Sequence, residues 1–355
     1  MIIKDIKIKK TSKKNILLFK RKNIYSIKVD KIIEILIVPN PKGKNAHQDN
    51  VGIILEESKI LKILSKRYKK VSIANIKNKK DLQKLVKRKP DLVFSGVKYF
   101  LFGKEKIWLN DYLEMYKIPY IASSKSALDN ESDKNKAKKI IRLAKIKTAD
   151  FFTTYPNEHL DTKSIPISFP LFIKPVKGGD SRGIDSSSIV NNFDSFKKKV
   201  LEIKENHNLN SIAETYLTGR EYSVGIFEES ITGILRALPV EIIVKKNING
   251  HNILDFNVKK NDEEKVIAVT DIKIFNEISK LAKQSFKALG GKSLGRIDIM
   301  MNDKGIPYFM EANLMPGLRK GYFYRACVLN LGMTYEDMIF TIANTGLSSN
   351  LNIKN

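Results

Sequence analysis

Cysteine, histidine and tryptophan are scarce in this chain of 355 residues, which has one Cys (Cys327), four His and one Trp. A single cysteine excludes an internal disulfide and any metal site that needs several cysteines. No apolar run approaches the roughly 18–20 residues of a membrane-spanning helix, and the lysine-rich N-terminus has no apolar signal core. Because 42% of the residues are hydrophobic, a folded core is expected. We therefore expect a soluble, cytoplasmic protein without a membrane partner.

Acidic side chains are also few, with 38 Asp and Glu against 64 Lys and Arg, which gives a formal charge of +26. Such a charge can indicate nucleic-acid binding. Only ten of the basic residues are Arg, however, and the lysines are spread along the chain without interleaved aromatics. Proteins that read bases and phosphates favour Arg because its planar fork makes bidentate contacts. We expect a solvated basic surface and no specific nucleic-acid partner, while steering of anionic substrates towards a cleft stays open.

Alternating strand and helix patterns predict a parallel α/β layer over about residues 31–125. The apolar run at 32–38, which Pro39 ends, predicts its first buried strand. Residues 1–30 before it are a basic lead-in of weak pattern that would form an arm or a hairpin. After Ser132 the pattern becomes helical, and Ser132 is the expected N-cap. A chain of this length predicts two or three domains.

The strongest local signal is a predicted hairpin, in which two strand-like runs within 293–313 flank a glycine-bearing tight turn. Alternation with period two places Arg296 and Asp298 on one face of the first strand, and Glu311 and Asn313 on one face of the second. Folding over the turn brings Asp298 opposite or next to Glu311. Three oxygen ligands then meet beside an arginine, and hard oxygen donors suit Mg²⁺ when phosphates complete its coordination. The alternative is an exposed sheet face with a surface ion pair.

Two weaker signals come from a lysine at a strand end and from a pair of carboxylates. Lys174 precedes a glycine-rich turn at 178–183, an arrangement that can surround phosphate oxygens although it lacks the P-loop order. Glu214 and Glu221 lie on strand-like segments and could meet an adenine amine and a ribose. Taken alone, a surface turn and strand-edge acids are the better explanation of these segments.

Taken together, these segments resemble the ATP-grasp superfamily and, within it, the D-alanine–D-alanine ligases. The resemblance covers roughly residues 110–345. It depends on five segments in the family's order: Asp133-Lys134, Phe172-Ile173-Lys174-Pro175, Glu214-Thr215-Tyr216-Leu217 with Glu221, Gly295-Arg296-Ile297-Asp298 and Glu311-Ala312-Asn313-Leu314-Met315-Pro316-Gly317. It implies an α/β (α+β) ATP-grasp fold with an N-terminal domain (1–125), a central domain (126–220) and a C-terminal domain (221–355). ATP would lie between the last two domains, with the amino-acid site where all three meet.

The resemblance also implies a set of ATP-binding residues that combines cations for the phosphates with polar and apolar contacts for adenosine: Lys134, Lys174, Phe172, Glu214, Leu217, Glu221 and Met310. The two lysines would bind the phosphates, Glu214 with the backbone of Leu217 would read the adenine, and Glu221 would hold the ribose. Phe172 and Met310 would form apolar walls around the base.

Metal and catalytic roles follow from the same resemblance. Asp298, Glu311 and Asn313 would hold two Mg²⁺ ions, for which Mn²⁺ is an alternative. Lys259 would reach the γ-phosphate from a mobile loop, and Arg296 would stabilise the acyl phosphate and then the tetrahedral intermediate. The implied reaction joins a carboxylate to an amine and yields an amide, ADP and phosphate, with small amino-acid-like molecules as partners. Related ligases are commonly dimers, so a homodimer is one assembly to test.

The amino-acid half of the family pattern is altered in this chain. Asp180 stands at the position of the family's serine after the second loop glycine, and Lys260 at that of its tyrosine. The serine that receives the second substrate's carboxylate has become Tyr322 or a near neighbour. Candidate substrate residues are therefore Asp180, Ser181, Lys260, Gly317 and Tyr322. We expect altered amino-acid substrates; a genuine D-alanine–D-alanine ligase is the alternative, and a non-catalytic ATP- or polyanion-binding protein is a remote one.

Overall fold

The computed structural model describes residues 28–39, 51–179, 181–230, 232–245, 250 and 253–348. The basic lead-in up to residue 27 and Asp180 lie outside these ranges, as does the side chain of Lys260. The helices and strands of the described residues are, in chain order, β1 (Val29–Leu36), α1 (Glu57–Leu64), β2 (Tyr68–Ala74), α2 (Lys79–Lys87), β3 (Leu92–Ser95), β4 (Tyr99–Phe102), β5 (Glu105–Trp108), α3 (Leu109–Met115), α4 (Lys125–Ser132), α5 (Lys134–Leu143), β6 (Phe151–Thr154), β7 (Leu171–Pro175), β8 (Ile189–Val190), α6 (Phe193–His207), β9 (Ser211–Thr215), β10 (Glu221–Glu228), β11 (Leu235–Ile243), α7 (Phe256–Asn261), β12 (Lys265–Ala268), α8 (Ile272–Ala288), β13 (Leu294–Met301), β14 (Pro307–Asn313), α9 (Tyr322–Leu331) and α10 (Tyr335–Ser348).

The first sheet is parallel, with the strand order β2–β1–β3. Helix α1 packs against β1 and β2 and buries Ile60 and Leu64. The predicted parallel layer is confirmed for β1–β3, and a parallel bridge between Val93 and Tyr120 extends it, but β4 and β5 interrupt it with an antiparallel hairpin. Their two-residue connection contains Gly103 at a φ of 64°, and so short a connection suits antiparallel strands, whereas parallel strands need a long crossover.

The second sheet is antiparallel, with the order β6–β9–β7–β8, and helix α6 covers it with the buried side chains of Phe196, Val200 and Ile203. Phe172 of β7 lies directly opposite Glu214 of β9. Side chains two residues apart on a strand share a face, so Phe172, Lys174 and Glu214 all project from the same side of this sheet.

The third sheet is also antiparallel and has the order β12–β11–β10–β13–β14. Ile297 and Ile299 of β13 are fully buried in the core, whereas the alternating Arg296 and Asp298 are only partly buried. Helices α8 and α9 pack against this sheet. The predicted hairpin is confirmed, because β13 and β14 pair antiparallel with Asp298 opposite Glu311.

The start of helix α5 differs from the prediction. Ser132 is the last residue of α4, and Asp133 caps α5 by accepting a hydrogen bond from the backbone N–H of Lys136 at 3.1 Å. The predicted Ser132 cap is wrong because Asp133, an equally good capping residue, takes the extended backbone (φ −123°) that separates the two helices. Within the described ranges, no helix is long and apolar enough to cross a bilayer.

Candidate active site

The partly buried face of the β13–β14 hairpin joins four of the predicted site residues. The Arg296 guanidinium donates from Nε to Asp298 Oδ1 at 2.9 Å and from Nη2 to Oδ2 at 2.8 Å. The hydroxyl of Ser223, on the adjoining strand β10, donates to Asp298 Oδ1 at 2.7 Å. Arg296 lies opposite Asn313, whose Oδ1 accepts from the backbone N–H of Met315 at 3.2 Å. Asp298 is thus held from two strands, and its carboxylate is neutralised by Arg296.

Glu311 is the carboxylate on which the positive charges of the cleft converge. Burial would raise its pKa, but Lys134, Lys174, Lys259 and Arg296 together outweigh burial and lower the pKa to about 2. None of the described residues forms a direct ion pair or hydrogen bond with its side chain. Glu311 therefore stays ionised at neutral pH, with its oxygens available to a bound cation.

Lys134 connects helix α5 with the glycine-rich turn. It is the first residue of α5, and its ammonium donates to the carbonyl oxygen of Gly178 at 2.8 Å. Burial lowers the pKa of Lys134, and the nearby Glu311 carboxylate partly opposes this effect. The two predicted phosphate-binding segments are consequently adjacent in space although 44 residues separate them in the chain.

Lys174 and Glu214 form a buried ion pair on the second sheet. Lys174 Nζ lies 3.2 Å from Glu214 Oε1, and a second lysine, Lys138 of α5, lies 3.4 Å from Oε2. Burial would lower the pKa of Lys174, but Glu214 and Glu311 raise it. Both lysines are therefore cationic at neutral pH, since the pKa of Lys138, although lowered by burial, is still about 8. Glu214 is thus flanked by two positive charges.

Of the predicted adenosine contacts, Phe172 lies beside this pair, opposite Glu214 and 5.9 Å from Lys174 Nζ. Phe172, the predicted apolar wall, stacks on the ring of Tyr216 with 6.4 Å between ring centroids. Leu217 lies in the connection between β9 and β10 and is half-buried, and Met310, the second predicted wall, is half-buried on β14 next to Glu311.

Glu221 begins β10 and shares its electrostatic surroundings with the hairpin. Burial raises its pKa to about 7; Lys259 opposes this effect, and the charges of Asp298 and Glu311 add to it. Lys259 lies in the short helix α7, which Asp255 caps, and its charge acts on both Glu221 and Glu311. The predicted ribose carboxylate and the predicted catalytic lysine thus belong to one charge cluster with the metal-site residues.

The predicted substrate residues are less completely described. Ser181 lies within the glycine-rich turn at a φ of 55°, and its hydroxyl donates to the carbonyl of Leu254 at 2.9 Å, which ties this turn to the segment before α7. A Cβ atom built on Gly317 would meet nothing within 4 Å. Tyr322 begins α9 with its ring centroid 5.5 Å from Arg296 Cζ, and burial together with the adjacent Glu264 carboxylate raises its pKa. A large phenol ring therefore lies beside Arg296.

The donors of the hairpin fit a hard cation. Asp298 and Glu311 face each other across paired strands, Asn313 follows on the same strand as Glu311, and all three offer oxygen atoms, which Mg²⁺ prefers. Among the described residues, no group of three or more His, Cys, Asp or Glu could hold a metal ion, so a metal here would need the amide oxygen or substrate oxygens to complete its shell. That requirement agrees with a Mg²⁺ ion that shares phosphate oxygens.

Residues 131–344, more than half of the chain, match the family model described as D-ala D-ala ligase C-terminus. The chain belongs to the D-alanine–D-alanine ligase family. Its relatives include D-alanine–D-alanine ligase A of Bacillus cereus, which is 27% identical over 307 residues (85% of this chain and 95% of that protein). D-alanine–D-alanine ligase B of Clostridium perfringens is 26% identical over 244 residues, or 68% of this chain and 76% of that protein. The predicted membership of this branch of the ATP-grasp superfamily is confirmed, and with it a ligase that forms C–N bonds.

Solved structures of the same family resemble the fold. The crystal structure of D-alanine–D-alanine ligase from Bacillus anthracis complexed with ATP gives a TM-score of 0.64 at 21% identity and covers 91% of this chain and 99% of that chain. The VanG D-Ala:D-Ser ligase from Enterococcus faecalis gives a TM-score of 0.65 at 20% identity, with 89% and 99% covered. These likenesses confirm the predicted α/β (α+β) ATP-grasp fold; the domain boundaries at 125 and 220 stay a prediction.

Sequence reasoning missed Lys138 and Ser223, which contact the predicted site residues Glu214 and Asp298. It also missed Thr148 and Glu131, which contact neighbours of the site. One signal could have revealed Lys138. Lys138 lies between Ala137 and Ile141 on the buried stripe of α5, and a lysine on an apolar helix face requires a buried partner. Partners such as Thr148 come from other elements, so no local pattern identifies them.

Proposed function

We propose that this protein is an ATP-dependent carboxylate–amine ligase that forms an amide through an acyl phosphate and acts on amino-acid substrates other than two D-alanines. The observation that carries the proposal is the convergence of Lys134, Lys174, Lys259 and Arg296 on the ionised Glu311 carboxylate. Phosphoryl transfer to a carboxylate brings several anions together, so a protein that promotes it supplies mainly positioned positive charge.

In this mechanism each cation has its own task. Lys134 and Lys174 hold the phosphates of ATP against the glycine-rich turn, and Lys259 reaches the terminal phosphate from α7. Arg296 stabilises the negative charge of the acyl phosphate and of the tetrahedral intermediate that forms when the amine attacks. Asp298, Glu311 and Asn313 would hold two Mg²⁺ or Mn²⁺ ions, which when bound neutralise phosphate charge. Closure of the 253–262 segment would keep water from the acyl phosphate.

The adenosine half of ATP has its own proposed contacts. Glu214 and the backbone of Leu217 read the adenine between the apolar walls of Phe172 and Met310, and Glu221 holds the ribose. The half-buried, apolar character of the two walls supports these assignments.

Altered substrates are supported by the residues around Arg296. Tyr322, rather than the small hydroxyl of the family's serine, lies 5.5 Å from the guanidinium. Asp180 and Lys260 replace two further substrate residues of the family pattern, and such charged side chains would suit substrates with an extra amine or carboxylate. The second candidate is a D-alanine–D-alanine ligase with drifted contacts, which the names of the curated relatives favour.

Phosphate release from Mg-ATP tests the proposal. We would assay the full chain with D- and L-amino acids, singly and in pairs, and identify the products by mass spectrometry. Lys174→Ala should abolish release, whereas Lys198→Ala, an exposed lysine of α6, should leave it unchanged. Release with another pair but not with D-alanine alone supports altered substrates, and a D-alanine dipeptide supports the second candidate. Nucleotide binding without phosphate release from any pair would contradict both.

Quaternary structure is a separate proposal. By analogy with related ligases we propose a homodimer. Light scattering coupled to size-exclusion chromatography would test it. A mass corresponding to one 40.5 kDa chain would refute it.

A further inference from the structure

Lys138 is a fully buried lysine with two polar contacts. Its ammonium donates to the hydroxyl of Thr148 at 2.8 Å and lies 3.4 Å from Glu214 Oε2, and the Lys138 side chain has no exposed surface. The other charged groups that act on it are Lys174 and Glu311, and the Phe151 ring lies 5.7 Å away. A lysine in such a place requires a reason, because burying an ammonium is strongly unfavourable unless it is paired.

Glu214 explains the need for two lysines. Its Oε1 is paired with Lys174 at 3.2 Å and accepts no further hydrogen bond from the described residues. In the proposed function, Lys174 binds the phosphates of ATP and therefore turns away from Glu214. If Lys174 were the sole counter-ion, ATP binding would leave an unpaired carboxylate in the protein interior, a strongly unfavourable state.

We propose that Lys138 is a positioning residue that acts as the permanent counter-ion of Glu214, so that Lys174 can turn to the phosphates while Glu214 keeps an ion-pair partner and stays directed at the nucleobase. This inference rests on the proposed function, because it assumes that the cleft binds ATP. Lys138 acts only through Glu214 and contacts neither reacting group.

Thr148 holds the ammonium of Lys138 in position. The Thr148 hydroxyl accepts from Lys138 and donates to the carbonyl oxygen of Phe309 at 2.9 Å. Phe309 lies on β14, directly before Met310 and Glu311. One line of hydrogen bonds thus connects the counter-ion of Glu214 with the strand that carries the predicted adenine wall and metal ligand.

Nucleobase discrimination tests this role, because the loss of a merely structural lysine would weaken the binding of all nucleotides alike. Inosine triphosphate carries a carbonyl oxygen where adenine carries an amine, so a Glu214 carboxylate held in place should accept from the adenine amine of ATP and repel the carbonyl oxygen of the inosine nucleotide. We would measure both dissociation constants by calorimetry for the wild type, for Lys138→Met and for Lys139→Met, the exposed neighbour on the same helix. In Lys138→Met the preference for ATP should fall at least tenfold, while Lys139→Met should match the wild type.

Thr148 provides a second pair of variants in case Lys138→Met does not fold, as judged by circular dichroism. Thr148→Val removes the hydroxyl that fixes Lys138 and should lower the preference in the same direction by a smaller factor. Thr148→Ser retains the hydroxyl and should restore it. An unchanged preference in folded Lys138→Met, or in Thr148→Val if Lys138→Met does not fold, or an equal loss for both nucleotides, would overturn the inference. A wild type that binds neither nucleotide would instead refute the proposed function.

Discussion

Lys98 and Glu131 form an ion pair of 2.8 Å that links parts of the chain predicted to be separate domains. The second carboxylate oxygen of Glu131 accepts from the backbone N–H of Leu314, which directly follows Asn313. One nearly inaccessible carboxylate therefore connects the β3–β4 segment, the end of α4 and the last residues of the metal-site strand.

Replacing Glu131 with Leu should destabilise the protein by about 2–4 kcal/mol, because it leaves the Lys98 ammonium and a backbone N–H without partners. Urea unfolding followed by circular dichroism measures this change. Asp129→Asn is the matched control: its ion pair with Lys136 is exposed, so a loss within about 0.5 kcal/mol is expected. An equal loss of unfolding free energy in the two variants would contradict the predicted stabilisation by the buried contacts of Glu131.

Substitution of Arg296 by Lys should lower the turnover rate by roughly 10²–10³-fold with little change in nucleotide affinity, because a lysine retains the charge but cannot make the two hydrogen bonds to Asp298. Steady-state kinetics with the active substrate pair would separate the two quantities. A variant that loses ATP affinity in proportion to turnover would place Arg296 in nucleotide binding instead of the chemical reaction.

A methyl group at Gly295 should strain the strand that carries Arg296. A Cβ atom there would lie 2.6 Å from the ring of the fully buried Phe286, so Gly295→Ala should cost about 1–3 kcal/mol through overpacking. Gly321→Ala is the control because its Cβ would meet nothing within 4 Å. Adding Phe286→Leu to Gly295→Ala should cost less than the two single changes together; simple additivity in urea melts would contradict the predicted contact.

Cys327 should report on unfolding. The thiol is buried without exposed surface, and burial raises its pKa to about 12. Its thiolate, the reactive form, is therefore rare in the folded protein below that pH. A disulfide reagent should label the native protein only at the rate of its opening, while urea-unfolded chains react rapidly. Fast labelling at pH 8 without urea would show that the helix α9 region is open in solution.

The buried Lys138 should also make stability depend on pH. Burial, only partly offset by Glu214, lowers its pKa from 10.5 to about 8. Between these two values the unfolded chain holds the proton and the folded chain does not, so unfolding takes up a proton and stability rises with pH. The free energy of unfolding of the wild type relative to Lys138→Met should therefore increase over this window and stay flat below it, as urea melts at several pH values would measure. A relative stability that falls over this window would contradict the lowered pKa.

The hairpin at the candidate site was predictable from alternation and a short turn, but its exact register was not, because a bulge between Asp298 and Ile299 places Asp298 opposite Glu311 instead of Met310. The same local reasoning predicted the parallel strand β1 but not the antiparallel hairpin that interrupts its layer, where the two-residue connection with Gly103 turns the chain back. It could not reveal the contact between Glu131 and Leu314, which joins residues 183 positions apart. Charge partners of this kind depend on how the sheets are stacked, and that information is not contained in local periodicity.

Helix α10 has a consequence for how the protein is made. It packs against α1 and β3, and a Cβ atom on Gly346 would lie only 2.7 Å from Leu92 of β3. The hydroxyl of Tyr68, on the neighbouring strand β2, donates to Asn344 at 2.9 Å. The β2–β1–β3 sheet thus receives one of its covering helices from residues 335–348, which are synthesised some 240 residues after β3. The part of its apolar surface that α10 covers therefore stays exposed until these residues are made, which we expect to raise the risk of aggregation of the nascent chain.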